Sequence, residues 1–405
     1  MIAKDFFKAG HWPTLFAAFF YFDMSFMVWI LLGPLAVQIS SDLKLDAAQK
    51  GFMVALPVLL GAILRVINGI LVEMIGPKRT GTLSQCIVIC GLALFWVLSP
   101  QNYGALLALG LVLGFAGASF AVALPLASRW YPPQYQGAAL GIAGAGNSGT
   151  VFAALFAPAL AAAFGWHNVI GLAALPLLLA LIAYLLMAKD SPNRPPRKSL
   201  RQYLDVLRER DAWWFMLYYS VTFGGFSGLA SSLGIYFNAQ YGLSPVVAGY
   251  CTALCVLAGS MARPLGGAMS DRFGGITVLS FLYAIAATAF VLVSFGFAQL
   301  WLGLGILFIG MLALGMGNGA VFQLVPQRFG SEIGIVTGLV GMTGGIGGFY
   351  LASSLGLSKQ FTGSYQIGFL TFALLAALAL VVLHSVKNRW RATWTAAGST
   401  APARI

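Results

Sequence analysis

The chain has 405 residues, of which 59% are hydrophobic and only 8% are charged. Soluble globular domains carry roughly 25% charged residues, so this composition excludes a soluble fold. The formal net charge of +12 would, taken alone, also suit a nucleic-acid-binding protein. At about 20 apolar residues per span, a chain of this length predicts about a dozen membrane helices.

Apolar stretches separated by short polar or Pro/Gly breaks form two sets of six. The first set covers 13–38, 49–72, 80–98, 103–128, 136–163 and 168–188. The second set covers 212–239, 246–270, 276–296, 300–326, 331–356 and 365–386. We therefore predict an all-α membrane protein of two pseudo-symmetric six-helix bundles. Its parts are an N-terminal bundle at 1–188, a cytoplasmic linker at 189–211, a C-terminal bundle at 212–388 and a cytoplasmic tail at 389–405.

The basic residues are distributed unevenly between the two sides of the predicted membrane. Of the 23 Lys and Arg residues, 18 fall on the side that holds both termini and the linker. Only Lys44, Lys50 and Lys359 fall on the opposite side, and Arg65 and Arg263 lie inside spans. Because basic residues accumulate on the cytoplasmic side, both termini and the linker are predicted to be cytoplasmic. The excess charge thus reflects topology, which removes the argument for nucleic acid.

The two halves repeat one another. GAILRVINGILVEMIG at 61–76 aligns without a gap with GSMARPLGGAMSDRFG at 259–274, which matches Arg65 with Arg263. The fourth stretches also match, GFAGASFAVALP at 114–125 with GMGNGAVFQLVP at 315–326. Two related halves are the plan of transporters whose substrate site lies near the bilayer midplane between them.

Arg65 and Arg263 are the most informative residues. An arginine at the centre of a membrane helix costs about 2.5–3.5 kcal/mol to insert, and its guanidinium cannot lose the proton. Asp23 is the one carboxylate predicted within a span. One interpretation is that each arginine reaches the interface or pairs structurally. The interpretation that we favour is a clamp that binds an anion through two planar guanidinium forks.

Aromatic residues crowd the helices that would line the pathway: Phe26, Phe120, Tyr219 and Phe223. Residues 219 and 223 are one turn apart and share a helix face. Ordinary helix packing explains such a stripe equally well. A small, flat anion would fit between stacked rings and guanidinium planes, whereas phosphate or a dicarboxylate would need more donors.

Two glycine runs lie at matching places, GIAGAGNSG at 141–149 and GLVGMTGGIGG at 338–348. GAGNSG has the G-x-G-x-x-G spacing, but a dinucleotide site requires a preceding strand, which an apolar helix does not provide. Small residues let helices approach closely, so we predict gating positions at Gly144, Gly146, Gly344 and Gly345. Asn147 is predicted to donate a hydrogen bond to the substrate, with helix packing as the alternative.

The remaining candidates are acidic and basic groups. A carboxylate inside a membrane span is a functional candidate by default, so Asp23 is predicted to carry a coupling proton. A structural hydrogen bond to a neighbouring helix is the alternative. Glu73, Asp271 and Arg272 lie at helix connections that are predicted to be cytoplasmic, and we predict that they form a conformational latch.

These motifs resemble known carriers. Gly267, Asp271, Arg272 and Gly274 resemble the G-x-x-x-D-R-x-G loop motif of the major facilitator superfamily, although the first copy has Glu73 and Met74 in place of Asp and Arg. GIAGAGNSG, GMTGGIGGFY (341–350) and the two arginines resemble the nitrate/nitrite porter family. YFDMSFMVWI, ASRWYPP and GNGAVFQLVPQRF look like its compact bacterial branch, which is associated with nitrate assimilation.

The resemblance implies a twelve-helix carrier that moves nitrate or nitrite across the cytoplasmic membrane by alternating access. It implies that Arg65 and Arg263 hold the anion from opposite sides, in a pocket whose other residues are Phe26, Phe120, Tyr219, Phe223 and Asn147. The family includes nitrate–proton symporters and nitrate/nitrite antiporters, and Asp23 favours symport.

The expected partners are the anion, protons and the lipid bilayer. No nucleic acid, cofactor, metal or obligatory protein partner is expected, and no constellation of catalytic residues predicts an enzyme. Two alternatives remain: a carrier for another small monovalent anion such as an organic monocarboxylate, and a membrane sensor. The longest polar segment is too short for the output domain that a sensor usually needs.

Overall fold

The computed structural model describes residues 6–192, 205–329 and 333–395. In those ranges every regular element is helical, and twelve long helices follow a four-residue helix at Phe6–Ala9. The first six are α1 (Trp12–Leu43), α2 (Ala47–Ile75), α3 (Pro77–Leu98), α4 (Tyr103–Ser128), α5 (Pro133–Gly144 and Gly149–Phe164) and α6 (Trp166–Met187). The second six are α7 (Arg210–Tyr241), α8 (Pro245–Phe273), α9 (Gly275–Ser294), α10 (Leu300–Arg328), α11 (Ile333–Thr362) and α12 (Gln366–Thr395).

Eleven of these helices, within the described residues, are long and apolar enough to cross a membrane. The twelfth, α7, has the length at 32 residues but interrupts its apolar face with Ser, Thr and Gly. The predicted all-α membrane fold is confirmed.

Short connections make successive helices run in opposite directions. Gly76, with φ of +90°, stands between α2 and α3, and Gly274, with φ of +89°, stands between α8 and α9. Left-handed backbone of this kind favours glycine, which has no Cβ. These glycine turns therefore occur at matching places in the two halves, at the ends of the aligned segments 61–76 and 259–274. We call the side of these turns the linker side and the opposite side the hairpin side.

Most helices extend a few residues past the apolar stretches that predicted them. α7 begins at Arg210, and α12 continues to Thr395, inside the segment predicted as a tail. At these ends the Asp211 side chain accepts a hydrogen bond from Arg328 Nε at 2.7 Å and forms an ion pair with Arg389. Four residues form this Asp211 cluster, which ties the linker-side ends of α7, α10 and α12 together: Asp211, Arg328, Arg389 and Trp390.

The two halves meet through α2 against α11, α5 against α8, and α1 against α7. On the hairpin side their backbones touch: a methyl group on Gly51 would lie 2.7 Å from the Cα of Gly356. The backbone N–H of Ala47 also donates to Gln360 Oε1 at 3.1 Å. Among the described residues, hydrogen bonds between the halves occur on this side and at the centre. The hairpin side is therefore closed.

Three helices of the N-terminal half are interrupted near the middle of the bundle. α1 breaks after Trp29, α4 breaks after Gly117, and α5 contains a 3-10 turn at Ala145–Ser148. Irregular backbone at membrane depth is tolerated only where protein or a polar cavity surrounds it. These breaks therefore point to the region between the halves.

Candidate functional site

Arg65 of α2 lies at the centre of the molecule and is 1% exposed. Its Nε donates to the carbonyl of Gly117 at 3.1 Å, and its Nη1 donates to the carbonyl of Gly341 at 2.6 Å. The Gly117 carbonyl is available because α4 breaks there and the Ala121 N–H bonds to the Ala118 carbonyl instead. Nη2 is buried without a hydrogen-bond partner. Arg65 is thus fixed by both halves and keeps one donor free.

Aromatic rings surround the Arg65 guanidinium. Its central carbon lies 4.8 Å from the ring centre of Phe223 and 5.3 Å from those of Trp29 and Phe120. Phe26 is 5.9 Å away. Cation–π contacts contribute from about 0.5 kcal/mol at exposed sites to about 2 kcal/mol when desolvated. They help to offset the insertion cost of a cation that has no carboxylate beside it.

Arg263 of α8 occupies the matching position in the other half. Its central carbon lies 5.9 Å from the Phe120 ring centre and 5.4 Å from that of Phe322. One phenyl ring, Phe120, therefore contacts both cations. Nη1 of Arg263 is buried without a partner, and neither central arginine forms an ion pair with any described carboxylate.

Tyr219 completes the aromatic wall on α7. Its ring stacks on Phe223 at 5.2 Å with an interplanar angle of 7° and meets the edge of Phe322 at 5.0 Å. The hydroxyl is buried and adjoins the Arg263 guanidinium, although it forms no hydrogen bond of standard geometry. A phenol donor thus stands in the same enclosure as the guanidinium groups.

Asn147 lies in the 3-10 turn of α5. Its backbone carbonyl accepts hydrogen bonds from Thr150 Oγ1 at 2.7 Å and from Ser260 Oγ of α8 at 3.4 Å. Its side-chain Oδ1 is buried without a partner. A methyl group on Gly144 would lie 3.7 Å from the Arg263 guanidinium, so this part of α5 adjoins the second arginine.

Several buried polar atoms around the two arginines have no hydrogen-bond partner. Buried polar groups are nearly always hydrogen-bonded, so each exception requires an explanation. Two guanidinium nitrogens and a phenol are donors, and the Asn147 amide can present its nitrogen after rotation. They belong to Arg65, Arg263, Tyr219 and Asn147. Such a set complements a small anion.

Close packing around the arginines and rings depends on glycine, both within and between the halves. A methyl group on Gly344 would lie 2.7 Å from the Tyr219 ring, and one on Gly345 would lie 2.5 Å from the Ala62 side chain. On α5, a methyl group on Gly146 would lie 2.5 Å from the Phe22 ring. Small residues at these positions allow the helices that carry the arginines and rings to approach.

The sequence profile of the Major Facilitator Superfamily matches residues 14–352. The chain belongs to that superfamily. The "Nitrite extrusion protein" of Bacillus subtilis is 32% identical over 88% of this chain and 90% of its own length. The "Probable nitrate/nitrite antiporter NarK1" of Thermus thermophilus is 31% identical over 90% of this chain and 88% of its own. The resemblance to the nitrate/nitrite porter family is confirmed.

A solved facilitator shares the fold at lower identity. The bacterial homologue of the human lysosomal transporter Spinster, in an inward-facing and occupied conformation, superposes with a TM-score of 0.71 at 18% identity. The match covers 95% of this chain and 98% of the solved one. The twelve-helix architecture is thus that of a major facilitator.

Asp23 of this facilitator lies on α1, where it is 3% exposed. Its Oδ1 accepts a hydrogen bond from Ser148 Oγ at 2.6 Å. No described cation pairs with it. The structure therefore places the carboxylate against the turn that carries Asn147 and not in contact with either arginine.

The predicted latch residues have different surroundings in the two halves. Glu73, at the end of α2, forms an ion pair with Arg129, which follows α4. Asp271 and Arg272 are exposed near the end of α8, and the Arg272 guanidinium lies 5.2 Å from the Phe273 ring centre.

Sequence reasoning missed three residues around the site. Trp29 lies three residues after Phe26, a spacing that already placed both on one helix face. Phe322 lies one position beyond the residue that matches Phe120 in the repeat. Ser148 gave no such signal, because its contact with Asp23 depends on how α1 and α5 pack.

Proposed function

We propose that this facilitator is a secondary carrier of nitrate, and of nitrite, across the cytoplasmic membrane. The observation that carries the proposal is a pair of guanidinium groups, one from each half, each with a buried nitrogen that lacks a hydrogen-bond partner and with no acidic partner among the described residues. Arg65 is fully buried and Arg263 is half-buried. The names of the two relatives, a nitrite extrusion protein and a nitrate/nitrite antiporter, support this substrate class.

The shape and charge of the enclosure favour a small planar anion. Trp29 and Phe223 are stacked with an interplanar angle of 10°, and Tyr219 continues the stack. A flat anion can lie against such rings while guanidinium nitrogens donate to its oxygens in the plane. A dicarboxylate or phosphate would require further donors, and no described lysine reaches the arginine pair.

The like charges of the arginines supply a reason for alternating access. At an effective dielectric constant of ~20, two unit charges ~10 Å apart repel by roughly 1.7 kcal/mol. An anion between them offsets that repulsion and lets the two halves rearrange around the site. We place the linker side in the cytoplasm from the bias of basic residues, so the closed hairpin side faces outward.

The coupling mode that we propose is symport with a proton carried by Asp23. An ionisable residue inside the membrane that is buried and lacks a cation is suited to take up and release a proton. Antiport of nitrate and nitrite is the second candidate. It is favoured by the unpaired arginines, which need an anion in both directions, and by the name of the Thermus relative.

Counterflow in proteoliposomes tests the substrate and the mode together. Vesicles loaded with nitrate should accumulate labelled nitrate, and external nitrite should compete, whereas formate or lactate should compete weakly. An imposed inward proton gradient should drive net uptake if the carrier is a symporter. Uptake of a labelled organic monocarboxylate that nitrate does not inhibit, without uptake of labelled nitrate, would overturn the proposal. Nitrate binding without counterflow would identify a sensor.

A further inference from the structure

The hydroxyl of Ser148 lies between two acceptors. Ser148 Oγ is 2.6 Å from Asp23 Oδ1 and 2.9 Å from the backbone carbonyl of Ala145. A serine hydroxyl has one hydrogen, so it can donate to only one of them at a time. Ala145 is the first residue of the 3-10 turn and Ser148 is its last. The 3-10 turn therefore has a hydrogen bond between its last and first residues only when the Ser148 hydroxyl donates to the Ala145 carbonyl and not to Asp23.

The protonation state of Asp23 sets that choice. An ionised carboxylate is the stronger acceptor and attracts the Ser148 hydrogen. A protonated carboxyl instead has an O–H of its own, which can donate to Ser148 Oγ. The Ser148 hydrogen is then free to bond to the Ala145 carbonyl. The proton stays on Asp23, and only the direction of one hydrogen bond reverses.

The surroundings of Asp23 leave this hydroxyl as its principal side-chain partner. α5 approaches so closely that a methyl group on Gly149 would overlap the Asp23 backbone carbonyl, and the backbone N–H of Gly149 also donates to the Asp23 carboxylate. α6 presents the neutral Tyr184, which packs against Tyr21 of α1. The charged groups at the centre of the bundle are Arg65 and Arg263, and neither forms an ion pair or hydrogen bond with Asp23.

The turn connects Asp23 with the substrate site. Asn147, one residue before Ser148, has an unpartnered side chain, and its carbonyl accepts a hydrogen bond from Ser260 of the other half. We propose that Ser148 is a positioning residue that transmits protonation of Asp23 to Asn147, so that a proton on Asp23 strengthens anion binding between the arginines. This inference rests on the proposed nitrate transport and supplies its coupling step.

The test is nitrate binding to the purified full-length protein by calorimetry, at acidic and at alkaline pH. In the wild type we expect affinity about fivefold higher at acidic pH, since one hydrogen bond of about 1 kcal/mol is gained. By thermodynamic linkage, bound nitrate should raise the affinity of the site for the proton by the same factor. Ser148→Ala should bind weakly at both pH values, and Ser148→Thr, which keeps the hydroxyl, should restore the difference.

Asp23→Asn provides a second, opposite signature. Its amide can donate to Ser148 Oγ as a protonated carboxyl does, so affinity should be independent of pH and remain at the tighter level. The double variant Asp23→Asn, Ser148→Ala should behave as Ser148→Ala alone. Ser354→Ala is the matched control, because its hydroxyl bonds only to the carbonyl three residues before it; it should keep the wild-type difference.

Three outcomes would overturn the inference. If Ser148→Ala keeps the full pH dependence, the hydroxyl does not transmit protonation. If the wild type binds and exchanges nitrate with no dependence on pH, the proposed link from Asp23 through Ser148 is wrong, but the proposed nitrate transport is unaffected. If the wild type neither binds nor exchanges nitrate, the proposed function fails and takes this step with it.

Discussion

Arg65 and Arg263 occupy matching positions in the repeat but are held differently. Arg65 donates to two backbone carbonyls and lies over four rings, whereas Arg263 lies over two rings, adjoins the Tyr219 hydroxyl and donates to no described backbone carbonyl. One cation is thus preorganised, and the other can adjust to the ligand. Preorganisation lowers the cost of binding, so we interpret Arg65 as the fixed part of the clamp.

The carbonyl of Gly341 occupies a position of particular interest. It accepts from Arg65 Nη1 at 2.6 Å and belongs to the opposite half of the molecule. We expect an arriving anion to compete with this carbonyl for the guanidinium. Binding of the proposed substrate would then weaken one link between the halves, which gives a physical route from ligand to movement.

Asp23→Asn separates coupling from exchange. The amide cannot carry a proton, so uptake driven by an inward proton gradient should be lost. Counterflow of labelled nitrate should persist, because the arginines and rings are unchanged. Both are measured in the same proteoliposome preparation, and intact gradient-driven accumulation in the variant would remove Asp23 from the coupling mechanism.

At the scale of elements, the glycine run of α11 sets the distance between α11 and the aromatic wall. Gly344→Ala would place a methyl group 2.7 Å from Tyr219 and 2.9 Å from Phe223, both fully buried. Overpacking of this kind typically costs about 1–3 kcal/mol, and it moves the rings that face the anion.

We therefore expect Gly344→Ala to raise the KM for nitrate and to lower the thermal stability. Gly338→Ala on the same helix is the matched control, because nothing lies within 4 Å of a methyl group there. Equal KM values in the two variants would show that close packing at Gly344 does not shape the site.

The Asp211 cluster makes a separate prediction about stability. Asp211→Asn leaves Arg328 and Arg389 without their shared carboxylate, while Trp390 loses an ionised acceptor. Because both arginines are partly exposed, we expect a loss of about 1–3 kcal/mol, measured by thermal or denaturant unfolding. Asp205→Asn, which breaks an exposed pair with Arg208, should change stability little. A larger loss of stability in Asp205→Asn than in Asp211→Asn would contradict the stabilising role of the Asp211 cluster.

Periodicity, charge bias and the internal repeat predicted the twelve helices, because lipid exposure forces apolar stretches of membrane-spanning length. The repeat also placed Arg65 and Arg263 at matching depth. The interruptions of α1, α4 and α5 could not be predicted, since they depend on tertiary contacts such as Arg65 with the Gly117 carbonyl. For the same reason the sequence did not reveal the link from Asp23 to Ser148.

At the scale of the whole molecule, the closed hairpin side defines one state of a transport cycle. Backbone contact at Gly51 with Gly356 and at Gly249 with the Ala154 carbonyl leaves no passage there. The described linker side has ion pairs within each half, such as Glu73 with Arg129. Alternating access requires the hairpin-side contacts to separate in every cycle.

Cross-linking tests that requirement. With Cys86, Cys90, Cys251 and Cys255 replaced, Ala47→Cys and Gln360→Cys place thiols on residues that touch across the halves. A short reducible bifunctional thiol reagent should abolish nitrate counterflow, and reduction should restore it. Each single-cysteine variant should be insensitive to the reagent. Full transport by the cross-linked protein would show that this side does not open.

Direct binding of nitrate to the purified protein and its arginine variants tests the central claim, that one anion is held between Arg65 and Arg263. The account predicts one nitrate per wild-type chain. It predicts a loss of at least about thirtyfold in affinity, roughly 2 kcal/mol, in Arg65→Lys and in Arg263→Lys, because an ammonium lacks the planar fork. Arg208→Lys, at a side chain that is 81% exposed, should bind as the wild type does. Wild-type affinity in both central variants would contradict the account.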